Sequence, residues 1–303
     1  MKSQQTSIDY DANWLNGIAY EVAFWNNVYR WKRTFTGMMN WSHYGSAICL
    51  EAFDANSFLT AAADKPLVLD VGCGMSYQTG SLLKTDGGTQ PLDIRYIDPL
   101  AHYYNEILKR SKRPMPPIEF GMLEYLSAFY EPESADLVIV QNALDHSARP
   151  MKGIVEAMRV LKVGGVLYLN HHPNEAETEQ YKGFHQYNII DDNGKLLIWN
   201  KHESLSVGDT LNGFATVETI RCENQHVVAI LRKTANVPES LLEDNKDKKE
   251  LCLLMMQCHK QGHSLRRLLD YKFDYWKFNT VQFFVQALPW GVKMKLKKLI
   301  KQA

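Results

Sequence analysis

Five short apolar runs, separated by stretches with helical spacing, dominate residues 66–170 of the chain. These runs are rich in Val, Ile and Leu, and we predict strands at 67–71, 93–97, 118–121, 136–140 and 166–170. Helices are expected over 76–85, 99–111 and 150–161. Alternation of strand and helix at this spacing favours a parallel sheet with helices on both faces. The predicted fold class is therefore α/β.

The region after the fifth strand differs from this pattern. Residues 213–234 hold two strand-like runs joined by a short polar turn, which predicts an antiparallel hairpin and hence a mainly parallel sheet with an antiparallel last strand. Residues 171–212 are too long for a plain connection and include YNIIDDNGKLLIWN, which is typical of a second, small hairpin. Insertions at this position commonly cover a binding crevice.

We expect three parts in the chain. Residues 1–65 are predicted to form a helical N-terminal cap, 66–237 the sheet domain with its insertion at 171–212, and 238–303 a helical C-terminal extension. In the first part, aromatic and apolar residues recur every three to five positions, which suits a helix that packs one face. These residues are Trp14, Tyr20, Phe24, Trp25, Val28 and Trp31.

Composition excludes several classes of function. The chain has 34 basic and 34 acidic residues, so no overall positive charge indicates a nucleic-acid partner. Its five cysteines are odd in number and lack the CxxC spacing of zinc or redox sites, which indicates reduced thiols. The sequence starts without the apolar segment of a secretory signal, and no uncharged apolar run reaches roughly 18 residues. We therefore expect a cytoplasmic protein.

The C-terminal stretch GVKMKLKKLIKQA leaves two interpretations open. It carries five lysines and no acid: Lys293, Lys295, Lys297, Lys298 and Lys301. A helix of this kind can lie on an anionic membrane surface, which would place the protein peripherally at the inner membrane face. It can equally pack its apolar stripe on the sheet domain.

The stretch VLDVGCGMS, residues 68–76, joins the first predicted strand to a glycine turn. Such a turn lets backbone N–H groups approach a ligand closely at a helix N-terminus. A dinucleotide fingerprint needs a third glycine where this chain has Tyr77, and no Walker GK[ST] follows. Asp98 ends the next strand, where a carboxylate can accept both hydrogen bonds of a ribose diol. A ligand with a ribose and no pyrophosphate fits, and S-adenosylmethionine has that shape.

Several motifs over residues 66–234 together resemble the class I S-adenosylmethionine-dependent methyltransferases. They are VLDVGCG, the acid of YIDP, FGMLEYL (120–126), ADLVIVQNALDH (135–146), RVLKVGGVLYLN (159–170) and the final hairpin. Ser76 and Val163 depart from the residues usual in this family. The resemblance implies a Rossmann-like, seven-stranded methyltransferase fold, S-adenosylmethionine as cofactor and a methyl-transfer activity.

The resemblance also implies roles for individual residues. Expected at the cofactor are Asp70, Gly72, Cys73 and Gly74 around the methionine, Asp98 at the ribose, Met122 and Leu123 at the adenine, and Gln141 and Asn142 near the methionine moiety. Three of these have structural alternatives. Asp70 can cap the turn that follows it, Asp98 can cap the helix after Pro99, and Met122 can belong to the core.

Methyl transfer to a hydroxyl benefits from a general base, and two polar clusters offer one. Asp145 and His146 follow the fourth strand, and His171 and Glu175 follow the fifth. Each pair can form a base oriented by an acid, and His185 at the start of the insertion is a further candidate. We favour His146, because in the family that the chain resembles, residues after the fourth strand lie closest to the transferred methyl.

The polar residues of this region also suggest metal binding as an alternative, and the sequence leaves several methyl acceptors open. Asp145, His171, His172 and Glu175 could bind a metal, but magnesium prefers oxygen ligands and this set is rich in histidine, so we predict no metal. NALDH, NHHPNEAE and GFHQYN resemble methyltransferases of bacterial surface-polysaccharide biosynthesis, which implies O-methylation of a sugar hydroxyl in a glycan or glycolipid. The alternatives are a small metabolite, lipid or peptide acceptor, and a non-catalytic scaffold.

Overall fold

The structure, a computed structural model, describes residues 12–40, 42–62, 65–223, 226–243 and 246–262, together with a few single positions between 265 and 292. The helices are α1 (Ala12–Arg30), α2 (Lys32–Met39), α3 (Ala55–Ala62), α4 (Ala101–Ser111), α5 (Pro150–Val160), α6 (Glu175–Thr178), α7 (Val207–Leu211) and α8 (Lys248–Gly262). The strands are β1 (Leu67–Val71), β2 (Leu82–Thr85), β3 (Gly88–Pro91), β4 (Asp93–Asp98), β5 (Glu119–Phe120), β6 (Ala135–Gln141), β7 (Leu161–His171), β8 (Asn188–Asp192), β9 (Lys195–Trp199), β10 (Ser204–Ser206), β11 (Ala215–Glu223) and β12 (His226–Lys233). All five strands predicted between residues 66 and 170 are present.

A seven-stranded sheet forms the centre of the molecule, in the order β11-β12-β7-β6-β1-β4-β5. Strands β5, β4, β1, β6 and β7 pair in parallel, and β12 pairs antiparallel with β7. The last strand in sequence is thus antiparallel, as predicted, and β11 pairs antiparallel with it at the edge. The fold is the Rossmann-like methyltransferase fold expected from the sequence.

The apolar runs become central strands because both faces of the sheet are covered. In β1, Val68 packs on one side while Leu69 packs on the other, and both are fully buried. One face carries α5, α7 and the insertion, and the other carries α3 and the segment around Ile48. Strands buried on both faces read as continuous apolar runs, which is why this part of the sequence was predictable.

The helix predicted over 76–85 is wrong, since β2 and β3 form a small antiparallel hairpin there. Two features of the chain favour the hairpin. Gly87 and Gly88 supply the turn, and Gly88 has a φ of 127°. The backbone of Leu82 also exchanges hydrogen bonds with the N-terminal segment, donating to Ser46 O at 3.0 Å and accepting from Ile48 N at 2.8 Å. The helices predicted over 99–111 and 150–161 are present as α4 and α5.

Helix α1 buries only part of the predicted set of residues. Trp25 and Val28 are buried as expected, but Phe24 is 41% exposed and Trp31 is 54% exposed. Trp31 follows the last residue of α1, so it does not belong to the helical face at all. Ile18 and Tyr29 complete the buried face, and Tyr20 is half-buried. The side chain of Trp14 lies outside those described.

The insertion forms its own three-stranded antiparallel sheet, in the order β10-β9-β8. The predicted hairpin is correct: β8 and β9 pair in register, with Asn193 and Gly194 at positive φ in the turn between them. Ile189 and Ile198 of this hairpin pack into the core on the α5 side of the large sheet. The insertion therefore rests on the sheet and approaches the strand ends.

The C-terminal part begins with α8, whose Leu251 and Met255 pack in the same core as α1 and α4. The five C-terminal lysines lie outside the described residues. Within the described part of the chain, no helix has the length and apolar character needed to span a membrane. Among the cysteines that are described, Cys49, Cys73, Cys252 and Cys258 are free thiols.

Candidate active site

The glycine turn after β1 requires both of its glycines. Gly72 has a φ of 70° and Gly74 a φ of 54°, a region that residues with a side chain rarely adopt. A Cβ on Gly72 would overlap the side chain of Ala143, and one on Gly74 would lie 2.9 Å from the Trp25 indole. The turn continues into Tyr77 at a φ of 49° rather than into a helix, so its N–H groups do not lie at a helix N-terminus.

Asp98 lies at the end of β4, where it faces the turn. Its Oδ2 accepts a hydrogen bond from Gly74 N at 3.0 Å, and its Oδ1 accepts one from Leu100 N at 2.8 Å. Burial raises the pKa of Asp98 to about 6, although these two bonds oppose the rise. Each carboxylate oxygen can still accept a second hydrogen bond. The residue therefore supports the loop before α4 and retains capacity to bind a ligand.

Asp70 is buried beneath the turn and does not line the cavity described below. Its carboxyl group is hydrogen-bonded to Thr79, and Gln141 donates to the Thr79 hydroxyl at 3.3 Å. Burial raises the pKa of Asp70 to about 7. Asp70 thus ties the segment after the turn to the end of β6, a supporting position rather than a contact position.

A cavity of about 460 Å³ opens over the carboxyl ends of β1, β4 and β6. Of the residues expected at a cofactor, all but Asp70 line this cavity: Gly72, Cys73, Gly74, Asp98, Met122, Leu123, Gln141 and Asn142. Met122 and Leu123 are nearly fully buried, so they serve the core as well as the cavity wall. The side chain of Asn142 accepts a hydrogen bond from His172 N at 3.2 Å, which joins the ends of β6 and β7.

Asp145, His146 and His185 form a compact group at one end of the cavity, and we call it the Asp-His-His cluster. Asp145 Oδ2 lies 2.8 Å from His185 Nδ1 and 3.4 Å from His146 Nε2, and the two imidazole nitrogens are 3.2 Å apart. Asp145 is buried, while both histidine side chains are about a quarter exposed and line the cavity. His185 belongs to the insertion, so the fold brings together residues 40 positions apart in the chain.

The charges within the cluster are unevenly distributed. Burial lowers the pKa of His146, which favours its neutral form. For His185 burial also acts downward, but the hydrogen bond and charge of Asp145 outweigh it and raise the pKa of His185. Burial favours the neutral form of Asp145, yet the neighbouring imidazoles hold its pKa below the usual range. The cluster therefore favours an ion pair of Asp145 and His185 next to a neutral His146.

His171 does not take the position that the sequence indicated. It is 1% exposed, it does not line the cavity, and neither ring nitrogen has a hydrogen-bond partner among the described residues. Burial lowers the pKa of His171 to about 4. The predicted pairing of His171, as a general base, with Glu175, as its orienting acid, is not formed. Since β7 extends to His171 and strand side chains alternate, His172 reaches the cavity instead, together with Glu175.

The part of the chain that carries the glycine turn and Asp98 also matches a known protein family. Residues 69–169 match the family model of a methyltransferase domain, which spans β1 to β7 and contains the glycine turn, Asp98 and two residues of the cluster. The match identifies a methyltransferase domain over these residues, about a third of the chain. No curated protein matches the sequence.

The chain is also similar to solved methyltransferase structures, at low sequence identity. A protein of Methanococcus maripaludis described as an S-adenosyl-L-methionine-dependent methyltransferase is 16% identical, with a TM-score of 0.41, and the match covers 72% of this chain and 95% of that one. The 1,6-didemethyltoxoflavin-N1-methyltransferase of Burkholderia thailandensis, with bound S-adenosylhomocysteine, is 13% identical at a TM-score of 0.37, covering 71% and 88%. The 16S rRNA N2 G1207 methyltransferase of T. thermophilus, in complex with AdoMet and guanosine, is 17% identical at 0.34, covering 64% of this chain and 42% of its own.

The methyltransferase cavity has one wall that the sequence did not predict, formed by α1. Glu21, Phe24 and Trp25 line the cavity, and the indole of Trp25 lies next to Gly74 of the glycine turn. Burial raises the pKa of Glu21 to about 7. Gly17 permits this approach, because a Cβ there would lie 2.5 Å from the Phe184 ring of the insertion. The aromatic spacing of α1 indicated a packed helix but carried no signal that its Glu faces a ligand.

Glu124 is a second residue that sequence reasoning missed. It is 8% exposed, and its Oε1 accepts hydrogen bonds from Ser147 Oγ at 2.6 Å and Ala148 N at 3.0 Å. These bonds fix the loop that follows the cluster. Among the described residues, the acidic side chains lining the cavity are Glu21, Asp98, Glu124 and Glu175, and no lysine or arginine lines it.

Proposed function

We propose that this methyltransferase transfers the methyl group of S-adenosylmethionine to a hydroxyl group, and that the acceptor lies at the Asp-His-His cluster. One observation carries the proposal: the glycine turn, Asp98 and the two histidines of the cluster line the same cavity, which is of a size that suits small-molecule sites. In-line methyl transfer needs donor and acceptor side by side in one enclosed space.

The cofactor is proposed to lie along the turn. Asp98 would accept hydrogen bonds from the two ribose hydroxyls, and Met122 and Leu123 would contact the adenine. The acidic lining favours the sulfonium, a cation that becomes a neutral thioether once the methyl has left. Helix α1, within the proposed cap at residues 1–65, contributes Glu21 and Trp25 to the cavity wall.

The cluster is proposed to activate the acceptor hydroxyl. A neutral imidazole can accept the hydroxyl proton, and burial favours the neutral form of His146. Asp145 is placed to orient the imidazole and to stabilise its charged form, as a buried carboxylate does in other acid-base sites. His185, already paired with Asp145, is the second proton carrier of the group.

The acceptor is proposed to be uncharged, and specifically a sugar hydroxyl of a glycan or glycolipid. Anionic acceptors such as phosphates are usually bound by Arg or Lys, and neither lines the described cavity. Carboxylates suit a sugar because each can accept two hydroxyl hydrogen bonds. The narrower resemblance of the histidine-rich motifs to polysaccharide-modifying methyltransferases supports the same choice.

A methyl-transfer assay with labelled S-adenosylmethionine tests this proposal on neutral sugars, lipid-linked sugars, amines and small phenols. We expect transfer to a sugar hydroxyl, and a kcat lowered at least ~100-fold by His146→Asn with the cofactor Kd unchanged. His202→Asn is the matched control, because His202 is exposed. Absence of cofactor binding at millimolar concentration would refute the activity. Transfer to amines alone would refute the acceptor.

A further inference from the structure

We propose that Asp145, His146 and His185 form a binding site for a divalent first-row transition-metal ion. Each of the three side chains offers one ligand atom close to the other two, and these atoms are Asp145 Oδ2, His146 Nε2 and His185 Nδ1. The sides of this triangle measure 2.8, 3.2 and 3.4 Å. Three donor atoms from two separate chain segments are thus close enough together to bind a single ion.

The size of the triangle matches metal coordination. Ligand atoms held at roughly 2.0–2.1 Å from one ion, with angles near 90–110°, are about 3.0–3.4 Å apart. An ion placed about 2.1 Å from all three atoms would lie about 1 Å out of their plane. The present distances therefore need little adjustment to accept an ion.

Hydrogen bonding alone leaves the carboxylate of Asp145 poorly satisfied. Both imidazoles face the same oxygen, Oδ2, although a carboxylate offers two oxygens with several lone pairs. The other oxygen, Oδ1, is buried and has no hydrogen-bond partner among the described residues. Burying an incompletely paired carboxylate is unfavourable. A dication bound at Oδ2 would offset that cost.

The donor set identifies the class of ion. Two imidazole nitrogens with one carboxylate oxygen suit Zn²⁺, Fe²⁺, Co²⁺ or Mn²⁺. Mg²⁺ and Ca²⁺ prefer sites built from oxygen. The ligand set differs from the one that the sequence suggested, because His171 is buried in the core and the insertion supplies His185 in its place.

The position of the site suggests what the ion would do. Three protein ligands leave at least one coordination position open, and both histidines line the cavity. An acceptor oxygen could occupy that position, and coordination lowers the pKa of a bound oxygen. With the ion bound, His146 would be a ligand, so the proton-accepting role proposed for it above applies to the protein without the ion. The role of the ion rests on the proposed function, whereas the site itself does not.

Metal binding can be measured without cofactor or acceptor. Purified protein, stripped with a chelator, would be titrated with Zn²⁺ by calorimetry and with Co²⁺ by visible absorption. We expect one ion per chain, an affinity at least ~100-fold higher than for Mg²⁺, and at least ~100-fold weaker Zn²⁺ binding in both His146→Ala and His185→Ala. His202→Ala, an exposed histidine, should bind as wild type does. Circular dichroism would confirm that each variant is folded, and Asp145→Asn provides a third, near-isosteric change.

Two outcomes would overturn the site: Zn²⁺ binding no tighter than in the His146→Ala/His185→Ala double variant, or binding that survives both single changes. Methyl transfer that persists in chelator-treated protein without such binding would refute the metal site and leave the proposed function standing. Zn²⁺ binding in a protein that does not bind S-adenosylmethionine would support the metal site and refute the proposed function.

Discussion

Replacing Asp98 with Asn tests the assignment of the ribose site most directly. The carboxylate of Asp98 accepts one backbone hydrogen bond on each oxygen, from Gly74 and Leu100, and faces the cavity with its remaining lone pairs. The amide of Asn is nearly the same size but replaces one acceptor oxygen with a donor. One backbone N–H then faces an NH₂ group, and the ligand loses a charged acceptor.

The expected size of the effect follows from these contacts. A hydrogen bond to a charged group contributes about 1.5–3 kcal/mol, so weakening both ribose bonds should cost about 3 kcal/mol of binding free energy. That corresponds to an S-adenosylmethionine Kd raised on the order of 100-fold. The lost backbone bond should also lower the free energy of unfolding by about 1–3 kcal/mol.

Titration calorimetry with S-adenosylmethionine measures the change in Kd, and thermal unfolding measures the change in the free energy of unfolding. Asp93→Asn is the matched control, since Asp93 lies on the same strand, is exposed and pairs with Arg95 at 2.8 Å. Its Kd should stay within about twofold of wild type. A Kd for Asp98→Asn within threefold of wild type, in a folded protein, would show that Asp98 only supports the turn.

Three further predictions concern the same cavity. Because the pKa of Asp98 is raised to about 6, its carboxylate becomes protonated on acidification, and the affinity for S-adenosylmethionine should fall about tenfold between pH 7 and pH 5. Protonation of Glu21, whose pKa is raised to about 7, acts in the same direction. Calorimetry should find that the affinity of Asp98→Asn depends less on pH than that of wild type. Gly72→Ala should lower the free energy of unfolding by about 2 kcal/mol or more, because its φ is positive and a methyl group overlaps the loop after β6, whereas Gly87→Ala, which meets open space, should change the unfolding midpoint little. Trp25→Ala should weaken cofactor binding at least tenfold in the same calorimetric assay, since its indole forms the wall over Gly74, and an unchanged Kd would remove α1 from the cofactor site.

The central sheet was predictable because the strand propensity of its residues and their burial on both faces of the sheet favour the same structure. Runs such as 136–140 have high strand propensity and are buried on both faces, so the sequence pattern and the structure agree. The prediction of a helix over residues 76–85 failed for the opposite reason. The conformation of this segment depends on hydrogen bonds of Leu82 to Ser46 and Ile48, which no local pattern reveals.

The candidate site was predictable only in part. Residues at a strand end or a few positions after it, such as Gly72, Asp98 and His146, were located because strand ends can be read from apolar runs. The position of His171 depended on where β7 ends, and an error of one residue at a strand end reverses the side that a side chain faces. Glu21 could not be found, because helix packing brings it to the cavity from a part of the chain before the sheet begins.

The wall formed by α1 makes cofactor binding and helix docking thermodynamically linked. The indole of Trp25 lies against the glycine turn, so any ligand that fills the cavity contacts a helix belonging to neither the sheet nor the family domain at residues 69–169. A ligand that binds only the docked arrangement must stabilise docking by the same free energy that docking adds to binding. Backbone amides of α1 should therefore exchange hydrogen more slowly when S-adenosylmethionine is bound, and a change that loosens α1 on the sheet should lower cofactor affinity without touching the cofactor.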